Sequence, residues 1–544
     1  MAISATRPQS LLKEPPRHLA EWIEGGAFDE RTLAQHADEL AEADPDFVAL
    51  VDRDAMFTRA EIVAEAEALS AALHERGLRP GDVIAFQVPN WRETIVINLA
   101  AAMSGFVINP IVPIYRDHEV SLMLEDCGAR AIFVAGTFRK FDFGAMARRL
   151  RERLPELAHV FTVRGAGADD YAALVAQGRG RGFARPRVDP FGVKMVLYTS
   201  GTTGRPKGVL HSHVAMPRIL GASYRFWGLL SGEPLLMPSP VTHISGYANG
   251  LEAPLCVGTR TILMESWSAA DAIALIDRYA VVATIAATPF LVELAAAARA
   301  AGQRLPGLRF FACGGAAVPN DLIPEANSAF DACKAFRVFG ASEVPLVSFG
   351  WPRDERLAAT TDGKVVDYDV RIVDADDNAL PLGSEGEILV RGPAMMLGYA
   401  DAGQTREAIT AEGYFRTGDL GVLSPEGAIT ITGRKKDLII RGGENLSAKE
   451  IEDVLHGHPD VGTAAVVAMP HARLGEGVCA YIVPSGETRD AAQLVGYVEA
   501  SGLARQKIPE RFEFRDELPA TASGKIRKDL LRAEIKALVE AEGS

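Results

Sequence analysis

The segment Tyr198 to Val209 reads YTSGTTGRPKGV, a run of hydroxyls and glycines closed by one lysine. Gly201, Gly204 and Gly208 permit backbone conformations and close approaches that a Cβ forbids. Thr199, Ser200, Thr202 and Thr203 add donors and Lys207 adds a cation, so the segment can wrap an anion, and a polyphosphate is its natural guest. It is not a Walker A loop: G-x-x-x-x-G-K-[ST] begun at Gly201 needs glycine at 206, where the chain has Pro206. A plain flexible turn is the alternative reading. Against it, the apolar run Val193 to Leu197, broken by Lys194, leads straight into the segment, as a buried strand leads into a phosphate loop.

Other residues with chemistry lie far downstream. FRVFGASEVP, 336–345, supplies Phe339, Gly340, Ser342 and Glu343. Asp419, in GYFRTGDLG, can accept two hydrogen bonds from a ribose diol, and Arg434 can donate to ribose or phosphate. SGKIRK, 523–528, carries Lys525. Taken singly, Glu343 reads as a solvated loop residue, Asp419 as a turn residue and Lys525 as a surface lysine.

Together these motifs resemble the adenylate-forming superfamily, and YTSGTTGRPKGV looks like its signature. Its AMP-forming acyl-CoA synthetases join a carboxylic acid to ATP, release pyrophosphate, and pass the acyl group to the thiol of coenzyme A. The resemblance implies that Thr199 to Gly204 and Lys207 hold phosphates, that Gly315, Ala316, Phe339, Gly340 and Ser342 contact the nucleotide, and that Asp419 and Arg434 meet the ribose. Phe339 and Ser342 stand where the superfamily usually has tyrosine and threonine; serine keeps the hydroxyl. The resemblance further implies that Glu343 helps hold Mg²⁺, for which one or two protein carboxylates suffice beside phosphates. Lys525 resembles the near-terminal lysine that bridges the acyl carboxylate and the α-phosphate. GRKKDLIIRGGENLSAKEIE, 433–452, looks like the hinge motif, placing a pivot on Lys436 and coenzyme A contacts on Gly442 and Gly443.

The chemistry explains the cations. One anion must attack another, and two unit charges about 4 Å apart repel by roughly 4 kcal/mol at a surface-like dielectric. A magnesium ion and positioned lysines offset that repulsion. PSPVTHISGY, 238–247, resembles the acyl-pocket motif, with His243 gating or lining the pocket; a histidine satisfied inside the core is the plainer reading. Pocket walls at Ile244, Gly246, Gly314, Ala316 and Val344 are small or apolar, which leaves room for an apolar acid. No aspartate occurs between 238 and 247, which counts against an amino acid. The stretch NPIVPIYRDHEV, 109–120, is most similar to the cyclohexanecarboxylate and short-to-medium-chain members. An enzyme loading a carrier protein, and an idle acyl-nucleotide-binding protein, share the core and remain as alternatives.

Positioning these residues requires layered sheets. Short apolar runs alternate with amphipathic ones, with strands expected at Val83–Val88, Ala131–Val134, Arg260–Met264, Val281–Ile285 and Leu308–Cys313. Helices are expected at Glu93–Met103, Ala269–Tyr279 and Phe290–Ala301. This pattern predicts a large α/β body with largely parallel sheets, ligands lying beyond the strand ends. The segment 88–126 also resembles the N-terminal part of acyl-CoA synthetases. From about Lys364 shorter strands between Asp/Gly/Pro turns predict a small β-rich subdomain. Beyond Gly433 a mobile α+β unit is expected, so the organisation reads as 1–435 and 436–544. The first 30 or so residues read as an arm over the surface, and 164–190 as a solvated linker.

Composition sets outer bounds. Of 544 residues 48% are hydrophobic and 24% charged, as in ordinary globular proteins, and the net charge of −14 argues against broad nucleic-acid binding. Five scattered cysteines in no metal spacing read as reduced and mostly buried. No signal peptide or membrane span is legible, so a cytoplasmic enzyme is expected, acting on a small carboxylic acid with ATP and coenzyme A. The reading also admits a homodimer and a lysine acyltransferase that silences Lys525 by removing its charge.

Overall fold

A computed structural model describes residues 16–199, 206–315, 318, 322–441, 444–471, 473–486, 489–521 and 524–542. Two seven-stranded sheets organise the large body. In the first the order is 334–337, 310–314, 283–287, 234–237, 260–263, 48–52 and 55–58, all parallel except the last. In the second, strands 193–199, 107–110, 83–87, 129–135 and 159–163 run parallel, and Lys207–Ser212 and Gly398–Tyr399 add antiparallel at one edge. Near-continuous apolar strands such as Val83–Gln87, buried along their whole length, are what a parallel sheet covered on both faces demands.

The expected elements recur within a residue or two: the helices Glu93–Ser104, Ala269–Tyr279 and Thr288–Ala300, and the strands Ala129–Ala135, Ala283–Ala287 and Phe310–Gly314. Ser268 caps the second of these helices by accepting from the Asp271 amide. The β-rich subdomain is a four-stranded antiparallel sheet of Asp369–Val373, Glu385–Arg391, Phe415–Leu423 and Ile429–Arg434. After a short 3₁₀ turn at Lys435–Asp437, a separate five-stranded sheet follows. Its two apolar clusters draw only on residues between Ile439 and Val539, while the main core of the large body runs from Leu19 to Ile429.

Two expectations need correction. The interval 164–190 is not a plain linker: Tyr171–Gly178 forms a helix packed on the large body. A Cβ on Gly178 would lie 1.8 Å from the Ala68 carbonyl oxygen, so only glycine lets these backbones meet. Arg164 is half-buried between Asp52 and Glu93 rather than solvated. The N-terminal arm likewise includes a helix, Arg17–Glu24, whose Leu19 is buried in the main core. All five cysteines are free, and all but Cys256 are buried. Among the described residues no helix is long and apolar enough to cross a membrane.

Candidate active site

Thr199 ends one strand of the second sheet and pairs in register with Lys207, which begins the next. Ser200, Gly201, Thr202, Thr203 and Gly204, expected to hold phosphates, lie outside the described residues, as do Ala316, Gly442 and Gly443. The Lys207 ammonium stands 5.1 Å from the centroid of the Tyr399 ring. Tyr399 also donates its hydroxyl to Glu343 Oε1 at 2.8 Å.

The Phe339–Val344 segment follows strand Lys334–Arg337 of the first sheet, yet it is tied to the second. The Ser342 carbonyl lies 2.7 Å from Nε2 of His211, on strand Lys207–Ser212, and the Glu343 carbonyl accepts from the Met396 amide at 2.7 Å. Phe339 and Val344 are buried; Ser342 and Glu343 are half-buried. Tyr399 engages Glu343 Oε1, and among the described residues no partner is recorded for Oε2. No group of three or more metal-ligating side chains occurs among the described residues. A lone carboxylate with one oxygen open fits Mg²⁺ that arrives on phosphates, the case in which one or two protein ligands suffice.

A second set gathers around the C-terminal unit. Asp419, almost fully buried, accepts from Arg434 Nε at 2.7 Å, the two residues facing each other across paired strands. Burial pushes the Asp419 carboxyl up, against the pull of Arg434 and Lys525. Lys525 is reached by these charges too: burial lowers its ammonium to about 8, Arg434 adds to that, and Asp419 opposes it. Lys436 is lowered in the same way, first by burial and then by Arg434. On the large-body side, burial takes His243 down to about 4, and the Lys525 charge contributes. It is neutral at ordinary pH, a hydrogen-bonding wall rather than a cation. Gly524 packs on Pro289: a Cβ there would lie 3.1 Å from the proline ring. Lys525, Asp419, Arg434, Lys436 and His243 thus share one electrostatic neighbourhood although 243 and 525 are far apart in sequence.

His243 opens an irregular helix in which Ile244–Gly246 pass into a π-helical turn, Tyr247–Glu252. Pro254 lacks the N–H that would return to Gly250, which favours widening the turn just before it. Gly246 is required there, since a Cβ would lie 2.1 Å from the Pro240 carbonyl oxygen. Ile244 and Val344 are buried; Gly314 ends its strand and Gly315 takes φ +78.

Sequence reasoning missed three features. One is Tyr399. The second is His211, fully buried and held down to about 4 by burial. The third is a buried network under the π-turn, where Lys194 pairs with Glu252 and donates to Tyr247 at 2.7 Å, while Tyr247 donates to Asn98 at 2.6 Å. Lys194 did carry a signal, as a charge inside an otherwise apolar strand.

Known proteins resemble the chain over most of its length. The model of the AMP-binding enzyme family matches residues 37–400, and that of the AMP-binding enzyme C-terminal domain matches 450–525. The medium-chain fatty-acid–CoA ligase of Escherichia coli (strain K12) is 33% identical over 529 residues, covering 95% of this chain and 92% of the relative. The 2,3-dihydroxybenzoate-AMP ligase of Bacillus subtilis (strain 168) is 30% identical over 526 residues, with 96% and 97% covered. The crystal structure of ATP-bound MatB from Rhodopseudomonas palustris superposes with a TM-score of 0.83 at 28% identity, covering 93% of this chain and 99% of that one.

Proposed function

The chain belongs to the AMP-binding enzyme family, and from that premise we propose that it is an acid:CoA ligase for an apolar medium-chain or alicyclic carboxylic acid. Its class is that of the AMP-forming acyl-CoA synthetases, with ATP, Mg²⁺ and coenzyme A as reactants. The observation that carries the reading is the meeting of Lys525 with Asp419, Arg434 and His243 across two separately cored parts of the chain.

In this reading Asp419 and Arg434 take the ribose, and Lys525, protonated, spans the acid carboxylate and the α-phosphate. The carboxylate oxygen bonds to the α-phosphorus as the bond to the β-phosphate oxygen breaks. Lys207 stabilises the pyrophosphate that departs. Glu343 would hold Mg²⁺, which supplies charge neutralisation on the phosphates. Ile244, Gly246, Gly314 and Val344 would line the acyl pocket beside the neutral His243, a role the motif also gives to Ala316. The thiol then attacks the acyl carbonyl carbon and AMP leaves. Because Lys525 occupies the site for the first step, the 436–544 unit turns about Lys436 to bring Gly442 and Gly443 to the thiol's path.

The second reading is an adenylating enzyme that loads a carrier protein, which shares the core; a relative at similar identity is named as a 2,3-dihydroxybenzoate-AMP ligase. An AMP-release screen over aliphatic, alicyclic and aromatic acids, with and without coenzyme A, separates them. Ligation predicts release that depends on coenzyme A and is fastest with apolar acids; coenzyme-independent turnover, or a preference for hydroxylated aryl acids, would contradict it.

A further inference from the structure

Tyr399 lies at the edge of the second sheet and is held from several directions. Its residue pairs in register with Val209, and the flanking amides of Leu397 and Ala400 donate to Leu210 and Gly208 at 2.8 and 2.7 Å. Its own amide donates to Thr405 Oγ1 at 2.9 Å. The side chain is only 5% exposed, so its direction is fixed by packing. That direction puts the hydroxyl 2.8 Å from Glu343 Oε1 and the ring under Lys207. Among the described residues the ring is the one partner recorded for the Lys207 ammonium. The same short strap, 396–400, holds the Glu343 backbone through Met396.

We propose that Tyr399 is a positioning residue that sets the metal-side and phosphate-side charges in place before nucleotide arrives: its hydroxyl orients Glu343 and its ring face seats Lys207. This rests on the roles given above to Glu343 and Lys207. Groups that orient a metal's ligand change metal affinity by about 10- to 100-fold when removed. A cation over an aromatic face contributes less, about two- to fivefold.

The two contacts separate experimentally. Y399F keeps the ring and loses the hydroxyl; Y399L loses both. The half-saturating Mg²⁺ concentration in acid-dependent pyrophosphate exchange should rise about 10-fold in Y399F, with the KM for the acid unchanged. ATP binding measured calorimetrically in chelator, without metal, should be unchanged in Y399F and two- to fivefold weaker in Y399L. E343Q should raise the Mg²⁺ requirement, and adding Y399F to it should raise it no further. An unaltered Mg²⁺ requirement in Y399F, where E343Q alters it, overturns the inference. So does a uniform loss of acid, ATP and metal affinity, which marks a structural role. An unaltered requirement in E343Q itself removes Glu343 from the metal, and this inference with it.

Discussion

On the Lys207 side the functional groups are held by main-chain ladders and buried side chains, whereas the unit that carries Lys525 is held at its turn by polar contacts and partly exposed ion pairs. The first side includes strands 193–199, 207–212 and 398–399, with Tyr399 against Glu343 and the Lys194–Glu252–Tyr247–Asn98 network beneath. The second meets the large body through the Ser447 hydroxyl, which donates to the Thr432 carbonyl at 2.9 Å; at the turn between them Lys435 pairs with Glu387 at 2.8 Å on the large-body side and Arg532 with Asp437 at 2.9 Å on the other, and its own cores include no large-body residue. The contrast matches the chemistry proposed for each. A site that must meet ATP the same way every cycle gains from preorganisation. A site that must give way to a second substrate needs contacts that exchange readily with water.

The largest expected effect breaks the first side. Glu252→Leu leaves Lys194 unpaired in the interior and should destabilise the large body by about 3–5 kcal/mol, read as a lowered urea midpoint. The double variant Lys194→Met/Glu252→Leu should recover most of that loss, because an apolar pair of similar volume replaces a desolvated one. Failure of the double variant to recover would show that the network does more than satisfy its own charges.

Acid should act on the same side. His211, His213 and His243 are held down to about 4, about 3 and about 4, each chiefly by burial, with Lys194 adding to the first two and Lys525 to the third. They stay neutral in the folded chain where the unfolded chain, with ordinary imidazoles near 6.5, takes up protons. Stability is therefore full above about pH 6.5 and is lost as the pH falls from there toward about 3, by on the order of 3–5 kcal/mol for each of the two fully buried histidines, His211 and His213. Urea titrations at a series of pH values check this; a midpoint flat between pH 6.5 and 4 would contradict it.

The smallest effect belongs to the second side. Arg532→Ala should change global stability by less than about 1 kcal/mol, because the pair is partly exposed and Asp437 keeps Lys528 and Lys436 nearby. The ratio of the two half-reaction rates should shift by about two- to fivefold, the same energy read on a conformational balance, and the shift should fade at high salt. A stability loss as large as that of Glu252→Leu would erase the distinction between the two sides.

Much of this was legible in the sequence, for identifiable reasons. Ala269–Tyr279 shows as a helix because its run is amphipathic, and Val193–Thr199 as a strand because its apolar run ends at a glycine-rich segment. The Tyr171–Gly178 helix was hidden, since its Gly/Ala/Arg surroundings look like low-complexity chain and only the backbone of Ala68, more than 100 residues earlier, explains Gly178. The π-turn was hidden because it answers to Pro254 and to the Gly246–Pro240 contact rather than to any periodicity. Lys525, Asp419 and Glu343 stood out in the sequence through motif resemblance. Tyr399 was not, because its partners Glu343 and Lys207 come to it through the fold and leave no mark at position 399.

The central claim is that Lys525 serves acid activation and then leaves the site. It is tested most directly by measuring both half-reactions of Lys525→Ala: acid-dependent pyrophosphate exchange, and thioester formation from preformed acyl-adenylate and coenzyme A. The account predicts that the exchange falls by about 10²- to 10³-fold, the scale for losing one charge stabiliser of a transition state, while thioester formation is spared. Equal loss of both reactions would contradict it.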